Sequence, residues 1–232
     1  MNNKSLIAIT LILALFLAVK PARAEIKLLD PMIPDGERIV YSFRMGDSTT
    51  TLMEKVRVRE GDNYSVYEVI SKSAFMDKHI KIDRKAMRLF YLSVTSKTEK
   101  TVVKRTTTLI KDEVKPKKNR VRILDYFALN CILRFIPFDR KKPIKFIITG
   151  NKGGVPLKLK VDDIEDIEIG DKTIKCYKLE LGVGGLMSLV FPKSYFWYSY
   201  DKPHYLVRSE SPRNPMGSPK QVMELIEYKG GD

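Results

Sequence analysis

Tyr126-Phe127-Ala128-Leu129-Asn130-Cys131-Ile132-Leu133-Arg134-Phe135-Ile136 reads as a helix, with Asp125 as a capping residue ahead of it and Pro137 to end it. Its strongly polar members, Asn130 and Arg134, are four residues apart and share one face with Tyr126. The remaining surface is apolar nearly all round, which is the pattern of a buried helix rather than one lying on a surface. Something else in the chain must therefore supply a wide apolar face to cover it.

That face is supplied by segments with a period of two. Ile39, Tyr41, Phe43 and Met45 alternate with Val40, Ser42 and Arg44, and Val56 and Val58 with Arg57 and Arg59. Val155, Leu157, Leu159 and Val161 alternate with Pro156, Lys158 and Lys160, and Tyr177, Leu179 and Leu181 with Lys178 and Glu180. Each segment presents one face to a core and one to water, as antiparallel strands do. Turn signals at Gly61-Asp62-Asn63, Asn151-Lys152-Gly153-Gly154, Gly170-Asp171 and Asp201-Lys202-Pro203 separate them at short intervals. The expected fold is mainly β: a large curved antiparallel sheet, a half-open β-barrel, wrapped around one buried helix.

Composition agrees with a folded domain. The chain has 232 residues, 44% hydrophobic and 30% charged, with 42 Lys+Arg against 28 Asp+Glu and a net charge of +14. Residues 1–24 read as a cleaved secretory signal peptide, with Lys4 in the n-region, an apolar stretch from Leu6 to Val19, and Ala22-Arg23-Ala24 as the cleavage site. The apolar stretch is shorter than the ~20 residues a membrane-spanning helix needs. Residues 25–232 then form a single β-rich domain, expected in the periplasm. Export redirects the meaning of the positive charge from nucleic acid, for which no binding motif is present, to acidic lipid headgroups and anionic polysaccharides.

From Leu124 onward the chain resembles an uncharacterised family of exported bacterial proteins, catalogued as a domain of unknown function (number three thousand one hundred and eight). The residues that carry the likeness are Leu124-Asp125-Tyr126-Phe127-Ala128-Leu129, Leu133-Arg134, Phe146, the stretch Val155 to Val161, Trp197-Tyr198-Ser199-Tyr200-Asp201, Leu206-Val207-Arg208-Ser209-Glu210, and Val222 to Tyr228. Leu206 stands where the family often has a proline. The resemblance implies a half-open barrel around a helix, similar in shape to the carriers that ferry lipoproteins across the periplasm. It implies no catalytic residue.

Several groups of residues are candidates for a site. The uncharged, glycine-containing stretch from Leu181 to Pro192 and the aromatic run up to Tyr200 read either as the wall of an apolar cavity or as core strands. On the first reading Leu129, Leu133, Leu186, Met187, Phe191 and Trp197 line the cavity. Lys115, Lys117, Lys118, Arg120 and Arg122 are candidates for an anionic headgroup, or for a solvated hairpin tip. Cys131 and Cys176 are either two buried thiols or a disulfide, which the exported compartment permits. The acidic run Asp162 to Asp171 lacks the ligand spacing of a calcium loop, so neither metal nor cofactor is expected. His79 and His204 have no nucleophile elbow or zinc spacing near them in sequence.

The expected function is non-enzymatic binding or carriage of an apolar or amphipathic ligand, a lipid or a lipidated envelope partner, with transient membrane contact. A closed-core module that meets an envelope protein or glycan is the alternative, and an exported hydrolase a third. The sequence is silent on oligomeric state.

Overall fold

A computed structural model describes residues 27–97, 102–108, 121–123, 126–150, 153–183, 191–212 and 219–231. Residues 1–24, read from the sequence as a leader, lie outside them, as does Asp125. Among the described residues the chain forms one 13-stranded sheet around a short helical plug.

The strands are β1 (Arg38–Met45), β2 (Ser48–Gly61), β3 (Tyr64–Ser73), β4 (Met76–Asp83), β5 (Arg88–Lys97) and β6 (Val102–Thr108), followed by β7 (Val121–Ile123), β8 (Ile144–Gly150), β9 (Gly153–Ile169), β10 (Lys172–Val183), β11 (Ser194–Ser199), β12 (Leu206–Ser211) and β13 (Gln221–Lys229). Their order across the sheet is β6-β5-β4-β3-β2-β1-β13-β12-β11-β10-β9-β8-β7. The chain thus runs outward from the centre as one meander and returns as a second, so that its first and last strands are neighbours. All ladders are antiparallel except β7 on β8. No ladder joins β6 to β7 among the described residues, which leaves the barrel half open. The turn read at Gly170-Asp171 joins β9 to β10, and Gly170 adopts the left-handed φ of +59° that the tight connection requires.

The alternation read from the sequence decides the two faces. Tyr41, Leu52, Tyr67 and Ile80 point inward from adjacent strands, as do Leu179 and Phe196, which are cross-strand partners on β10 and β11. The plug fills the hollow against them: Leu129, Leu133, Phe135 and Ile136 are almost completely buried. Burying each such side chain contributes about 1.5–3 kcal/mol.

The plug is shorter than the helix its sequence predicts. A 3₁₀ turn over Tyr126–Ala128 leads into α1 (Leu129–Leu133), and the chain then tightens through hydrogen bonds from the Phe135 N–H to the Ile132 carbonyl and from the Ile136 N–H to the Leu133 carbonyl. Aromatic and β-branched residues are mediocre helix formers, and a segment this short has no stable helix of its own. Its conformation follows the cavity it fills.

Arg134 anchors it. The face expected to carry polar residues outward carries Arg134 inward, where 4% of the side chain is exposed, against Glu37, fully buried just ahead of β1. The guanidinium donates to both Glu37 carboxylate oxygens at 2.8 and 2.9 Å, and its Nη2 and Nε donate to the Pro203 carbonyl at 3.0 and 3.3 Å. Tyr228 Oη donates to Glu37 from β13. Burial alone lowers the arginine's pKa, but the Glu37 charge and hydrogen bonds more than reverse this, so the net shift is upward. Nearby, Phe138 stacks on Tyr177, Tyr177 on Tyr200, and His204 packs on Phe138, closing this end of the hollow with rings.

Two outcomes follow from these contacts. Arg134→Met strands the Glu37 carboxylate in the core and is expected to lower the unfolding free energy in urea by about 3–5 kcal/mol, and adding Glu37→Gln recovers much of it because no buried charge remains. Burial depresses the His204 pKa, which favours the neutral ring in the folded state. The stability this contributes is complete above the ordinary histidine range and is lost as the pH falls through the depressed value. Thermal unfolding scanned from about pH 7 down to about pH 5 is therefore expected to show a loss that His204→Asn reduces.

Candidate functional site

The plug seals one end of the hollow and leaves the other incompletely filled. Two cavities lie there. One, of about 260 Å³, is bounded by the plug residues Phe127 and Asn130 and by Phe43, Met76, Phe196 and Met223 from the sheet. The other, of about 400 Å³, is lined mainly by Leu157, Leu181, Phe191 and Pro192. Ser211 and Gln221 belong to both walls, so the cavities adjoin at the ends of β12 and β13. The exposed area of their linings is mainly apolar, although nearly half of the residues around the smaller one are polar, so apolar wall and polar groups meet there as in a small-molecule site.

The candidate lining residues separate into different places. Phe191 lines the larger cavity. Leu129 and Leu133 line neither; they are core residues pressed against the sheet. Trp197 is on the opposite face from its neighbours Phe196 and Tyr198, because adjacent strand residues point to opposite sides. There it packs with Cys176 and Val207, its indole N–H donates to Glu165 at 2.8 Å, and Lys178 donates to the other oxygen of that carboxylate at 2.7 Å. The expectation that Trp197 faces the same hollow as Leu129 is thus corrected by strand parity. Leu186 and Met187 lie outside the described residues. So do Lys115, Lys117, Lys118 and Arg120, while Arg122 is placed only by its backbone, in β7.

The disulfide left open by the sequence does not form in this structure. Cys131 and Cys176 are both free and buried, one in the inner core and one in the outer cluster, with a sheet between them. Burial pushes both thiols up to about 12. His79 bonds Glu68 at 2.7 Å on the outer face, and His204 bonds the Ser199 carbonyl. Among the described residues no three His, Cys, Asp or Glu side chains are grouped to hold a metal ion, and no helix is long and apolar enough to cross a membrane.

One residue of the smaller cavity escaped the sequence reading. Lys78 lines it and is only 9% exposed. A parity signal was present: in Met76 to Asp83, Lys78 has the same phase as Ile80 and Ile82, both wholly buried. Lysine's habit of facing water obscured it.

Three solved structures share the general shape weakly. An inferred exported protein with a YmcC-like fold from Bacteroides fragilis aligns with a TM-score of 0.34 and 12% identity over 88% of this chain and 99% of that one. An inferred lipoprotein from Parabacteroides distasonis gives 0.32 and 11%, covering 89% and 100%. A DUF1329 family protein from Desulfovibrio piger gives 0.31 and 12%, covering 86% and 87%. At these scores none transfers chemistry or a ligand to this chain. No family model matches the chain and no curated protein does, so the likeness to the exported family rests on the residues that carry it.

The state of the thiols is checked by mass. Native protein at about pH 8 is expected to resist iodoacetamide, because neither buried thiol ionises there. Denatured protein is expected to alkylate at both cysteines whether or not reductant is added first; modification only after reduction would instead reveal a bridge.

Proposed function

We propose that this protein is a non-catalytic binder of an amphipathic ligand of the bacterial envelope, exported by the leader at residues 1–24. The observation that carries the reading is the pair of adjoining apolar cavities at the open end of the half-barrel. Both recesses open partly to solvent, and large apolar side chains, Phe43, Met76, Phe196 and Met223 in one and Leu157, Leu181 and Phe191 in the other, line them beside a number of polar ones. An apolar guest entering them replaces contacts that the protein's own side chains do not make. The predominance of Lys and Arg over Asp and Glu suits a partner with negative charge.

The closed-core interaction module draws support from the plug itself, since Leu129, Leu133, Phe135 and Ile136 fill the middle of the hollow. That observation limits the guest rather than excluding it. A ligand occupies the end of the hollow, with room for one slender chain.

The uncharged fluorophore N-phenyl-1-naphthylamine tests this directly. Saturable uptake of a single probe per chain, displaced by decanoic acid, is the expected result. Ser209→Phe, which places a ring in the wall of the smaller cavity, is expected to weaken uptake by about tenfold or more. A folded wild-type protein that takes up no probe would leave the closed-core module as the better reading.

A further inference from the structure

The inner face of β4 carries an ammonium group among Met76, Ile80 and Ile82. Lys78 points inward with Ile80 and Ile82, and its cross-strand partners are Ser71 on β3 and Val94 on β5. No hydrogen bond or ion pair joins its Nζ to any described residue. The nearest acid along the same row is Glu54 on β2, which faces Ser71 across the ladder and accepts a hydrogen bond from its hydroxyl at 3.0 Å. Two strand spacings, about 10 Å, separate Glu54 from the Lys78 position. The contrast with Arg134 is sharp: that buried cation has a carboxylate and a carbonyl in contact.

The Lys78 side chain is largely covered, yet among the described residues Arg84 Nε is the one side-chain nitrogen both sealed from solvent and unpartnered, so the Lys78 ammonium reaches the open space of the recess rather than lying sealed in the core. Lys78 lines the smaller cavity, and it is the sole charged residue among the described lining residues. Serines, Asn130 and Gln221 share that wall with it, while Phe43, Met76, Phe196 and Met223 supply large apolar side chains. The arrangement is a cation at one side of a greasy recess that continues, past Ser211 and Gln221, into the larger cavity.

We propose that Lys78 binds the carboxylate of a single-chain fatty acid or similar acyl monoanion, whose hydrocarbon tail runs along the apolar walls toward Phe191. The proposal rests on the reading of these cavities as a ligand site and names the class of ligand. A lone ammonium offers a point charge with up to three donors, which suits one carboxylate. The described wall holds no arginine, whose fork is the usual partner of a phosphate. A diacyl phospholipid is disfavoured on the same ground and by volume, since the recess beside Lys78 is about 260 Å³.

The test is competition against bound N-phenyl-1-naphthylamine with decanoate and with decanol, which share a chain and differ in the head. The wild-type protein is expected to prefer decanoate by about ten- to hundredfold, the range of a charge-assisted hydrogen bond. Lys78→Met, close in volume and uncharged, is expected to bring decanoate down to the affinity of decanol or below, and Lys78→Arg to retain the preference. Bound decanoate labelled with ¹³C at the carboxyl, observed in the wild-type protein alone, is expected to titrate below its free value because the nearby cation favours the charged form. Equal binding of the two heads by wild type, or a preference that survives in Lys78→Met, overturns the role of Lys78 while the cavity remains a ligand site. Failure of the neutral probe itself to bind overturns both.

Discussion

The architecture depends on one ion pair that water does not reach. Arg134 and Glu37 are both buried, and the guanidinium touches two segments besides its own: the residue that leads into β1 and the turn before β12. Tyr228 adds β13. The pair therefore sits where the two meanders meet, at the β1–β13 junction, and ties the plug to both. Removing two charges from water is expensive, and a buried pair of this kind adds little net stability over an apolar replacement. What it supplies is placement. A slippery apolar segment with one α-helical stretch of five residues, Leu129–Leu133, has many ways to lie against an apolar sheet. Only one of them satisfies Arg134.

Placement of the plug determines where the hollow stays unfilled. Anchored at the Glu37 end, where Phe138, Tyr177, Tyr200 and His204 close the space with stacked rings, the plug reaches the opposite end only with Phe127 and Asn130. The cavities lie beyond that reach. The candidate site is thus a consequence of how the core is held together, and Lys78, the one charged group among the described residues of the smaller cavity, sits on a strand that contributes otherwise to the core. The same sheet keeps a second, smaller apolar cluster on its outside, where Trp197 is covered by Glu165, Lys178 and Arg208. That cluster accounts for much of the aromatic density between Tyr195 and Tyr205 without any ligand.

Particular residues show how far local pattern carries. The alternation in Ile39–Met45, Val155–Val161 and Tyr177–Leu181 identifies strands because burial on one face leaves a trace at every second position. The all-apolar surface of residues 126–136 demands burial for a similar reason. Parity, followed strictly, also separates Trp197 from Phe196 and Tyr198, and groups Lys78 with Ile80. Those two assignments go astray when residue type is weighed above phase: tryptophan suggests a cavity wall and lysine suggests solvent. Arg134 was legible as polar but not as buried, because its partner lies 97 positions away.

From the sequence alone, this protein is a β-rich domain built of alternating strands around one apolar segment, behind a secretory leader pattern. The tertiary structure decided that β1 lies beside β13, that the plug is pinned by Arg134 to Glu37, that the two cysteines belong to different cores, and that Lys78 faces an unfilled recess. The division has a physical cause. Strand alternation and apolar content are properties of near neighbours in the chain, so they are written locally. An unfilled volume is the small difference between a large hollow and the large set of side chains that fill it, and it exists only once every distant contact has been made.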